Sequence, residues 1–405
     1  MKKEERKQDL LKIIENLDIS PSLYKNACDK YKSLAEYLNR HGLDADIYPQ
    51  GSFALGTVIR PYAKDEEKDY DLDFICQVSC TREEITPSEL RSQISDILNS
   101  SDLYGGKLFE YDECFTIKYA DIGGIGFSID IVPAAAETEL NKRELRIMSS
   151  NPDLIETAIA IPRHSQQKVY NWITNNPLGY RTWFDEINEP FSMISSPVYR
   201  QSLFQAYPTV YASIEEIPVE MERTSMQRVI QILKYHRDVY FSRVHNGDEL
   251  KPISAIINTI VTEIAKTANP YSSVFELLKY VLDEMVIYSQ HLKLSASDFT
   301  RIYGERNVFN KSEGKWVIQN PANPKDNLAN KWNSNPAIPQ RFFQWVNTAR
   351  KQLIDSLELS DEDFRAHAEA AFGYNTVSKV WKDKYNNVKP KPISTSNPVR
   401  PWCNK

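Results

Sequence analysis

Residues 69–76 read Asp-Tyr-Asp-Leu-Asp-Phe-Ile-Cys. A carboxylate stands at every second position from 69 to 73, and apolar residues follow. Successive side chains of a β-strand point to opposite faces, so Asp69, Asp71 and Asp73 would share one face of a strand. The other face would carry Leu72, Phe74 and Cys76. Aspartate is depleted in strands, and neighbouring carboxylates repel one another. The segment is therefore either a solvated edge strand or a strand whose acidic face binds cations.

A glycine-serine turn precedes this segment by about 20 residues, in the stretch Gln50-Gly51-Ser52-Phe53-Ala54-Leu55-Gly56-Thr57. Glycine lets backbone N–H groups approach a phosphate closely, and the Ser52 hydroxyl can add a donor. We therefore expect Gln50, Gly51 and Ser52 to bind the phosphates of a nucleotide, although an isolated Gly-Ser pair is usually a plain turn.

A third acidic position lies about 60 residues after Asp71. It is Asp130, in the apolar run Phe127-Ser128-Ile129-Asp130-Ile131-Val132-Pro133. An unpaired charge in a buried strand is costly, so Asp130 should have a donor or a cation as its partner. Two metal ions about 3.5–4 Å apart need several carboxylates from neighbouring strands. Together the three stretches predict a two-metal phosphoryl-transfer site, with Asp71, Asp73 and Asp130 as metal ligands and catalytic residues, and Mg²⁺ as the ion.

The composition of the 405-residue chain limits the classes of function. Its formal net charge is −6, so it offers no general basic surface for a long nucleic acid. The five cysteines form no CxxC pair, and no apolar run reaches the ~18 residues of a membrane span. We expect a cytoplasmic protein that needs neither a membrane nor a long nucleic acid, and that acts on small anionic substrates in a local basic pocket.

The periodicity of apolar residues predicts an α+β chain. Strands are expected at 46–53, 72–78, 114–120 and 126–132, and a helix at Pro87–Asn99, whereas after Pro133 the pattern is mainly helical. Tyr303–Pro339 is predicted to be loop-like. The expected organisation is N-terminal helices at 1–45, a catalytic core at 46–135, a helical nucleotide-binding domain at 136–385 and a mobile Pro-rich tail at 386–405.

The motifs GSFALGTVIRP, DLDF and SIDIVPA resemble those of the bacterial cyclic GMP-AMP synthase-like nucleotidyltransferases (CD-NTases), which are related to oligoadenylate synthase. The resemblance implies a polymerase-β-like core, a helical oligoadenylate-synthase-like domain and Mg²⁺. It implies NTP substrates with ATP among them, and a cyclic di- or trinucleotide messenger in anti-phage (CBASS) defence. Regulatory protein partners from the same operon are also implied.

The resemblance covers about residues 20–357. Lys234 is similar to the nucleotide-contacting lysine of the family, and Ser254 matches the start of its next helix. The segment 317–328 is similar to the family's Asp-Pro motif, with Asn320 where an aspartate is common. The metal pair of the family is Asp-x-Asp, which fits either Asp69/Asp71 or Asp71/Asp73. The uninterrupted apolar residues after Asp73 favour the second pair, with Asp69 as a helper at the mouth of the site.

Residue patterns alone leave other interpretations open. Lys234 could be a solvated helix residue, and Ser254 could be an ordinary residue at a helix start. His236-Arg237-Asp238 copies the kinase triplet without the accompanying kinase motifs. At the level of function, a linear oligonucleotide synthase, an RNA-modifying nucleotidyltransferase and a non-catalytic nucleotide-binding scaffold are the alternatives.

Overall fold

A seven-stranded mixed sheet runs through the first part of the chain. The computed structural model describes residues 2–60, 62, 70–122, 125–164, 169–194, 223–306 and 308–385. The strands of the sheet are β1 (Ala45–Gln50), β2 (Tyr70–Thr81), β3 (Leu108–Glu110), β4 (Phe115–Ile122), β5 (Ile125–Ala136), β6 (Ile159–His164) and β7 (Tyr170–Asn175). Five of them lie in the order β1-β2-β5-β4-β3, while β6 pairs with β5 and β7 pairs with β6. Only the pairing of β2 with β5 is parallel.

The two faces of β2 differ in burial, as the alternation of its residues predicts. Leu72 and Phe74 are completely buried, whereas Asp71 is exposed and Asp73 is partly buried. A helix at Pro21–Arg40 covers the apolar face and places the Tyr31 ring edge-on to Phe74, with ring centroids 5.4 Å apart. Burial of this face fixes the register of the strand, because a shift by one residue would turn the carboxylates into the core.

Helices flank the sheet and form nearly all of the second part of the chain, which confirms the predicted α+β class. The predicted helix Pro87–Asn99 is confirmed, and it begins with a reciprocal capping box between Thr86 and Glu89. The helices are α1 (Lys2–Glu15), α2 (Pro21–Arg40), α3 (Gly51–Ala54), α4 (Pro87–Asn99), α5 (Glu139–Met148), α6 (Pro177–Asn188), α7 (Ser225–Phe241), α8 (Gly247–Leu250), α9 (Ser254–Ala265), α10 (Val274–Tyr288), α11 (Ala296–Tyr303), α12 (Asn330–Ser334), α13 (Ala337–Leu353), α14 (Asp361–Phe372) and α15 (Tyr374–Trp381).

Helix α7 is the centre of the helical part and contacts α9, α10, α13 and α14. Its apolar residues, such as Val229, Ile230 and Leu233, are fully buried, and most of its polar residues are buried as well. Thr224 and Gln227 close its N-terminus with a second capping box. A helix that is covered on all sides holds its polar side chains in fixed positions, which matters for the site described below.

The N-terminal helix α1 is tied to the C-terminal helices. Arg6 is 1% exposed, and its guanidinium donates to the carbonyl oxygen of Leu357 at 2.9 Å and to Asp361 at 2.6 Å. The indole N–H of Trp381 donates to the carbonyl oxygen of Asp9 at 3.0 Å. The two ends of the described chain therefore pack together on one side of the helical part.

The structure differs from the sequence-based expectation after Pro133, where strands β6 and β7 extend the sheet. Pro162 lies inside β6, and prolines normally argue against a strand. Most side chains of β7 are partly buried, so its sequence has no clear alternation. In the segment predicted to be loop-like, α12 follows two short antiparallel pairs: β8 (Asn310–Ser312) with β9 (Lys315–Val317), and β10 (Gln319–Asn320) with β11 (Asn323–Asn327).

Residues 386–405, predicted to be a mobile tail, lie outside the described residues. Within the described part of the chain, no helix has both the length and the apolar character that crossing a membrane requires.

Candidate active site

One row of polar residues crosses four strands of the sheet. Gln50 on β1 is the register partner of Asp73 on β2, which in turn pairs with Asp130 on β5, and Asp130 pairs with Thr116 on β4. Asp71 lies two residues before Asp73 and therefore shares its face. The order of the strands thus brings together residues that are up to 80 positions apart in sequence.

The carboxylates of Asp71, Asp73 and Asp130 converge, and each contributes an oxygen atom lying within 4.8 Å of the others. The Thr116 hydroxyl donates to Oδ1 of Asp130 at 2.6 Å and orients this carboxylate. Burial raises the pKa of Asp73 well above its usual range, and the charges of Asp71 and Asp130 raise it further. Burial also raises the pKa of Asp130, as does the charge of Asp71, while the Thr116 hydrogen bond opposes the shift.

Such a cluster suits a divalent cation. Three carboxylates this close together repel one another, and Mg²⁺ prefers hard oxygen ligands of this kind.

Gly51 leaves the space that this arrangement of carboxylates needs. Its φ angle is +64°, and a Cβ atom at this position would lie 2.7 Å from Oδ2 of Asp73. The glycine of the predicted phosphate-binding turn is therefore also required for the position of a carboxylate in the cluster.

Lys234 on α7 points toward the same site. It is 4% exposed, and its Nζ donates to the carbonyl oxygen of Thr57 at 2.9 Å, so it is not a solvated surface residue. Burial lowers its pKa to about 8, helped by the charge of Arg237 and opposed by nearby carboxylates, including Asp71 and Asp73. At neutral pH it remains mainly protonated, so it can donate charge-assisted hydrogen bonds to a triphosphate.

A cavity of about 690 Å³ is lined by residues of both the sheet and the helical part. The predicted residues that line it are Gln50, Gly51, Ser52, Asp71, Asp73, Lys234, Ser254 and Asn320. Ser254 is the first residue of α9, and its hydroxyl accepts a hydrogen bond from Nη1 of Arg237 at 3.1 Å. Asn320 donates to Oδ2 of Asp326 at 3.0 Å, so a carboxylate lies beside it in the cavity wall. Asp69 lies outside the described residues.

Other residues of the cavity did not stand out in the sequence. Arg237 and Asp238 belong to the triplet that imitates a kinase motif, yet both line the cavity. Tyr180 and Asn258 line it from α6 and α9. A signal existed for Asn258, because it interrupts the apolar run Ile256-Ile257-Asn258-Thr259-Ile260-Val261, but such interruptions are common in helices. Thr116 was hidden because its role depends on the pairing of β4 with β5.

A family model described as the nucleotidyltransferase domain of cyclic GMP-AMP synthase DncV-like proteins matches residues 45–132. This range contains strands β1 to β4, most of β5 and all three clustered carboxylates. This part of the chain is thus a DncV-like nucleotidyltransferase domain, and the chain is similar to the CD-NTases. The resemblance predicted from the sequence motifs is thereby confirmed.

The similarity to known proteins extends well beyond the catalytic strands. A c-di-GMP synthase of Roseivirga ehrenbergii is 22% identical over 351 residues, which are 85% of this chain and 78% of the relative. The structure of CdnG from Bradyrhizobium diazoefficiens in complex with GTP superposes with a TM-score of 0.61 at 18% identity, over 92% of this chain and 97% of that one. CdnC of E. coli MS115-1 with ATP gives a TM-score of 0.57 at 13% identity, over 91% and 97%. The chain thus shares the fold of both solved structures, including its helical part.

Proposed function

We propose that this CD-NTase is a cytoplasmic, Mg²⁺-dependent enzyme that joins NTPs into a cyclic di- or trinucleotide. The observation that carries the proposal is the convergence of Asp71, Asp73 and Asp130. The first two of these line a cavity that the Gln50–Ser52 turn and the buried Lys234 also line. Metal-binding carboxylates, a phosphate-binding turn and a cation are the three parts that nucleotidyl transfer requires.

In this proposal Asp71, Asp73 and Asp130 would hold Mg²⁺. The ions would neutralise charge on the triphosphate and lower the pKa of the attacking hydroxyl. The protein supplies the remaining functions through its own residues. Gln50, Gly51 and Ser52 bind the phosphates of the donor nucleotide at the start of α3.

The reaction is an in-line displacement at the α-phosphorus of the donor. The oxygen of a 3′- or 2′-hydroxyl on the acceptor forms a bond to this phosphorus, the bond from phosphorus to the β-phosphate oxygen breaks, and pyrophosphate leaves. The hydroxyl proton passes to Asp130, whose carboxylate is oriented by Thr116. Lys234 holds the negatively charged phosphates in place.

A second round of the same reaction within the cavity would close the ring. The names of the relatives support this outcome, because one is a c-di-GMP synthase and another, CdnG, is described in complex with GTP. We propose that residues 46–135 are the catalytic core and that residues 136–385 enclose the nucleotides. We also propose that ATP is one of the substrates. The product would act in anti-phage signalling, and proteins from the same operon would regulate the enzyme.

Two other functions use the same fold. A linear synthase or an RNA-modifying enzyme would need a track for its growing chain, which the net charge of −6 does not favour. A non-catalytic scaffold would have no need for three carboxylates that repel one another in one cluster. Cyclic synthesis is therefore the function that the site supports best.

Analysis of the products tests cyclisation directly. The purified protein is incubated with Mg²⁺ and mixtures of labelled NTPs, and the products are treated with phosphatase and resolved by mass. Ring closure consumes the terminal triphosphate, so we expect a phosphatase-resistant product with the mass of two or three nucleotide units. A ladder of phosphatase-sensitive products in every NTP mixture would disprove cyclisation, and the absence of any nucleotidyl transfer would disprove the proposed function.

Replacing Lys234 tests the contact with the phosphates. We predict that Lys234→Ala lowers kcat/KM for NTPs by roughly 10–100-fold, because one charge-assisted hydrogen bond contributes about 1.5–3 kcal/mol. Lys293→Ala, which removes an exposed lysine from another part of the chain, serves as the matched control and should leave kcat/KM unchanged. If both variants retain wild-type kinetics, Lys234 has only a structural role in binding Thr57.

A further inference from the structure

Asn258 is a buried amide in the wall of the cavity. It lies on α9 and is 5% exposed, and its Oδ1 atom has no hydrogen-bond partner among the described residues. Buried amide groups in folded proteins are almost always paired, so an unpaired one requires a reason. Its place in the wall of a substrate cavity indicates that its partner is a ligand.

The polar neighbours of Asn258 are already engaged. The Ser254 hydroxyl, one turn earlier on α9, accepts from Arg237, and the Tyr180 hydroxyl lies 2.8 Å from the Thr259 hydroxyl. These bonds stay within the protein and give the cavity wall a fixed shape. The Oδ1 atom of Asn258 therefore remains available for a hydrogen bond with a bound ligand.

The surroundings of Asn258 favour a nucleobase over a phosphate. The helical side of the cavity has the apolar side chains of Ile253, Pro177 and Leu328 and the carboxylates of Asp238 and Asp326. The cations on this side have partners within the protein: Arg237 pairs with Asp238, Arg181 with Asp185, and Lys234 donates to the carbonyl oxygen of Thr57. Phosphates have a better place on the opposite side, at the Gln50–Ser52 turn. A flat base needs apolar contacts for its faces and a polar group for its edge, and an amide presents a donor beside an acceptor.

We propose that Asn258 contacts the edge of the base of one bound NTP and thereby selects which base is used. This inference rests on the proposed function and adds a specificity-determining residue to it. The amide pairs with bases that present a donor next to an acceptor on one edge. A carboxylate of the same shape would instead match two adjacent donors, which is the pattern on the N1–H and N2–H edge of guanine.

Two substitutions of similar size test the proposal. In competition experiments with the four NTPs, Asn258→Leu should lower kcat/KM for the preferred base by about 10-fold or more, since one bidentate contact is worth about 1–3 kcal/mol of discrimination. The values for the other bases should change less than the value for the preferred base. Asn258→Asp should shift the preference toward GTP relative to ATP, and it provides the same test if Asn258→Leu does not fold.

Thr262→Val is the matched control. Thr262 lies one turn further along α9, is fully buried with an unpaired hydroxyl and does not line the cavity. This variant should change the melting temperature without changing the ratio of base use. If the Asn258 variants also lose stability but keep the wild-type ratio, Asn258 is only structural and the inference is wrong. If the wild-type protein makes no nucleotide product, the proposed function itself fails.

Discussion

The double substitution Asp71→Asn plus Asp73→Asn should abolish nucleotidyl transfer and leave the metal-free protein at least as stable as the wild type. Turnover is lost because two of the three carboxylates that converge within 4.8 Å no longer attract a cation. Stability is retained because the substitution removes like charges from one strand face. Adding Mg²⁺ should raise the melting temperature of the wild type but not that of the variant, because ligands stabilise only the state that binds them.

The effect on stability depends on pH in a defined direction. Burial raises the pKa of Asp73 well above the ordinary aspartate value of 3.8, which applies in the unfolded state. Between these two pKa values the folded state binds more protons than the unfolded state. The wild type therefore loses stability as the pH rises through this window, and the variant, which keeps only Asp130 of the three carboxylates, loses less. In EDTA, the advantage of the variant should be present at pH 7 and should shrink toward pH 4.

Two controls accompany this experiment. Asp46→Asn removes an exposed carboxylate from neighbouring strand β1 and should alter neither turnover nor the response to Mg²⁺. Asp69→Asn tests the choice of the metal pair. If Asp69→Asn is as inactive as Asp71→Asn while Asp73→Asn remains active, the pair is Asp69 and Asp71. Wild-type turnover in the double variant would disprove the metal site altogether.

Gly51→Ala should lower turnover by about 100-fold, because misplacing a reacting group by about 1 Å can have an effect of this size. The new Cβ atom would lie 2.7 Å from Oδ2 of Asp73, closer than atoms can approach, so the carboxylate must move. The variant should also need more Mg²⁺ for half-maximal activity. The measurements are turnover and its dependence on Mg²⁺ concentration.

Gly42→Ala separates backbone strain from the displacement of Asp73. Gly42 also has a positive φ angle, +93°, but a Cβ atom there would meet nothing within 4 Å. Both alanine variants should lose about 1 kcal/mol of unfolding free energy from backbone strain, measured by urea denaturation, and only Gly51→Ala should lose activity. Equal turnover in the two variants would show that Gly51 does not position the cluster.

The sequence predicted those features that depend on local pattern. The alternation in β2 placed Asp71 and Asp73 on one face, and the helix Pro87–Asn99 was predicted with its observed limits. The apolar run around Asp130 correctly indicated a strand and the need for a donor partner, but it could not identify Thr116 as that donor. That identification depends on which strand pairs with β5, which is decided by contacts between distant parts of the chain.

The burial of Lys234 shows the same limit in a helix. The sequence left open whether Lys234 is a solvated helix residue or a nucleotide contact, because its position on the helix does not decide between them. In the structure, other helices and the segment around Thr57 cover this position, so the lysine is enclosed. The burial of other polar residues in the cavity wall, such as Asn258, was equally hard to predict. Packing between the sheet and the helical part decides whether such residues face solvent, the core or a ligand.

The attachment of α1 to the C-terminal helices has a consequence for the order of events during synthesis. Arg6 contacts Leu357 and Asp361 across 351 and 355 positions of sequence. The helix leaves the ribosome more than 350 residues before the groups that neutralise and cover its buried arginine. Closing so long a loop costs chain entropy, and contacts of this range slow folding. Helix α1 therefore cannot reach its final packing until Leu357 and Asp361 have been synthesised, whereas strands β1 to β5 can pair long before then.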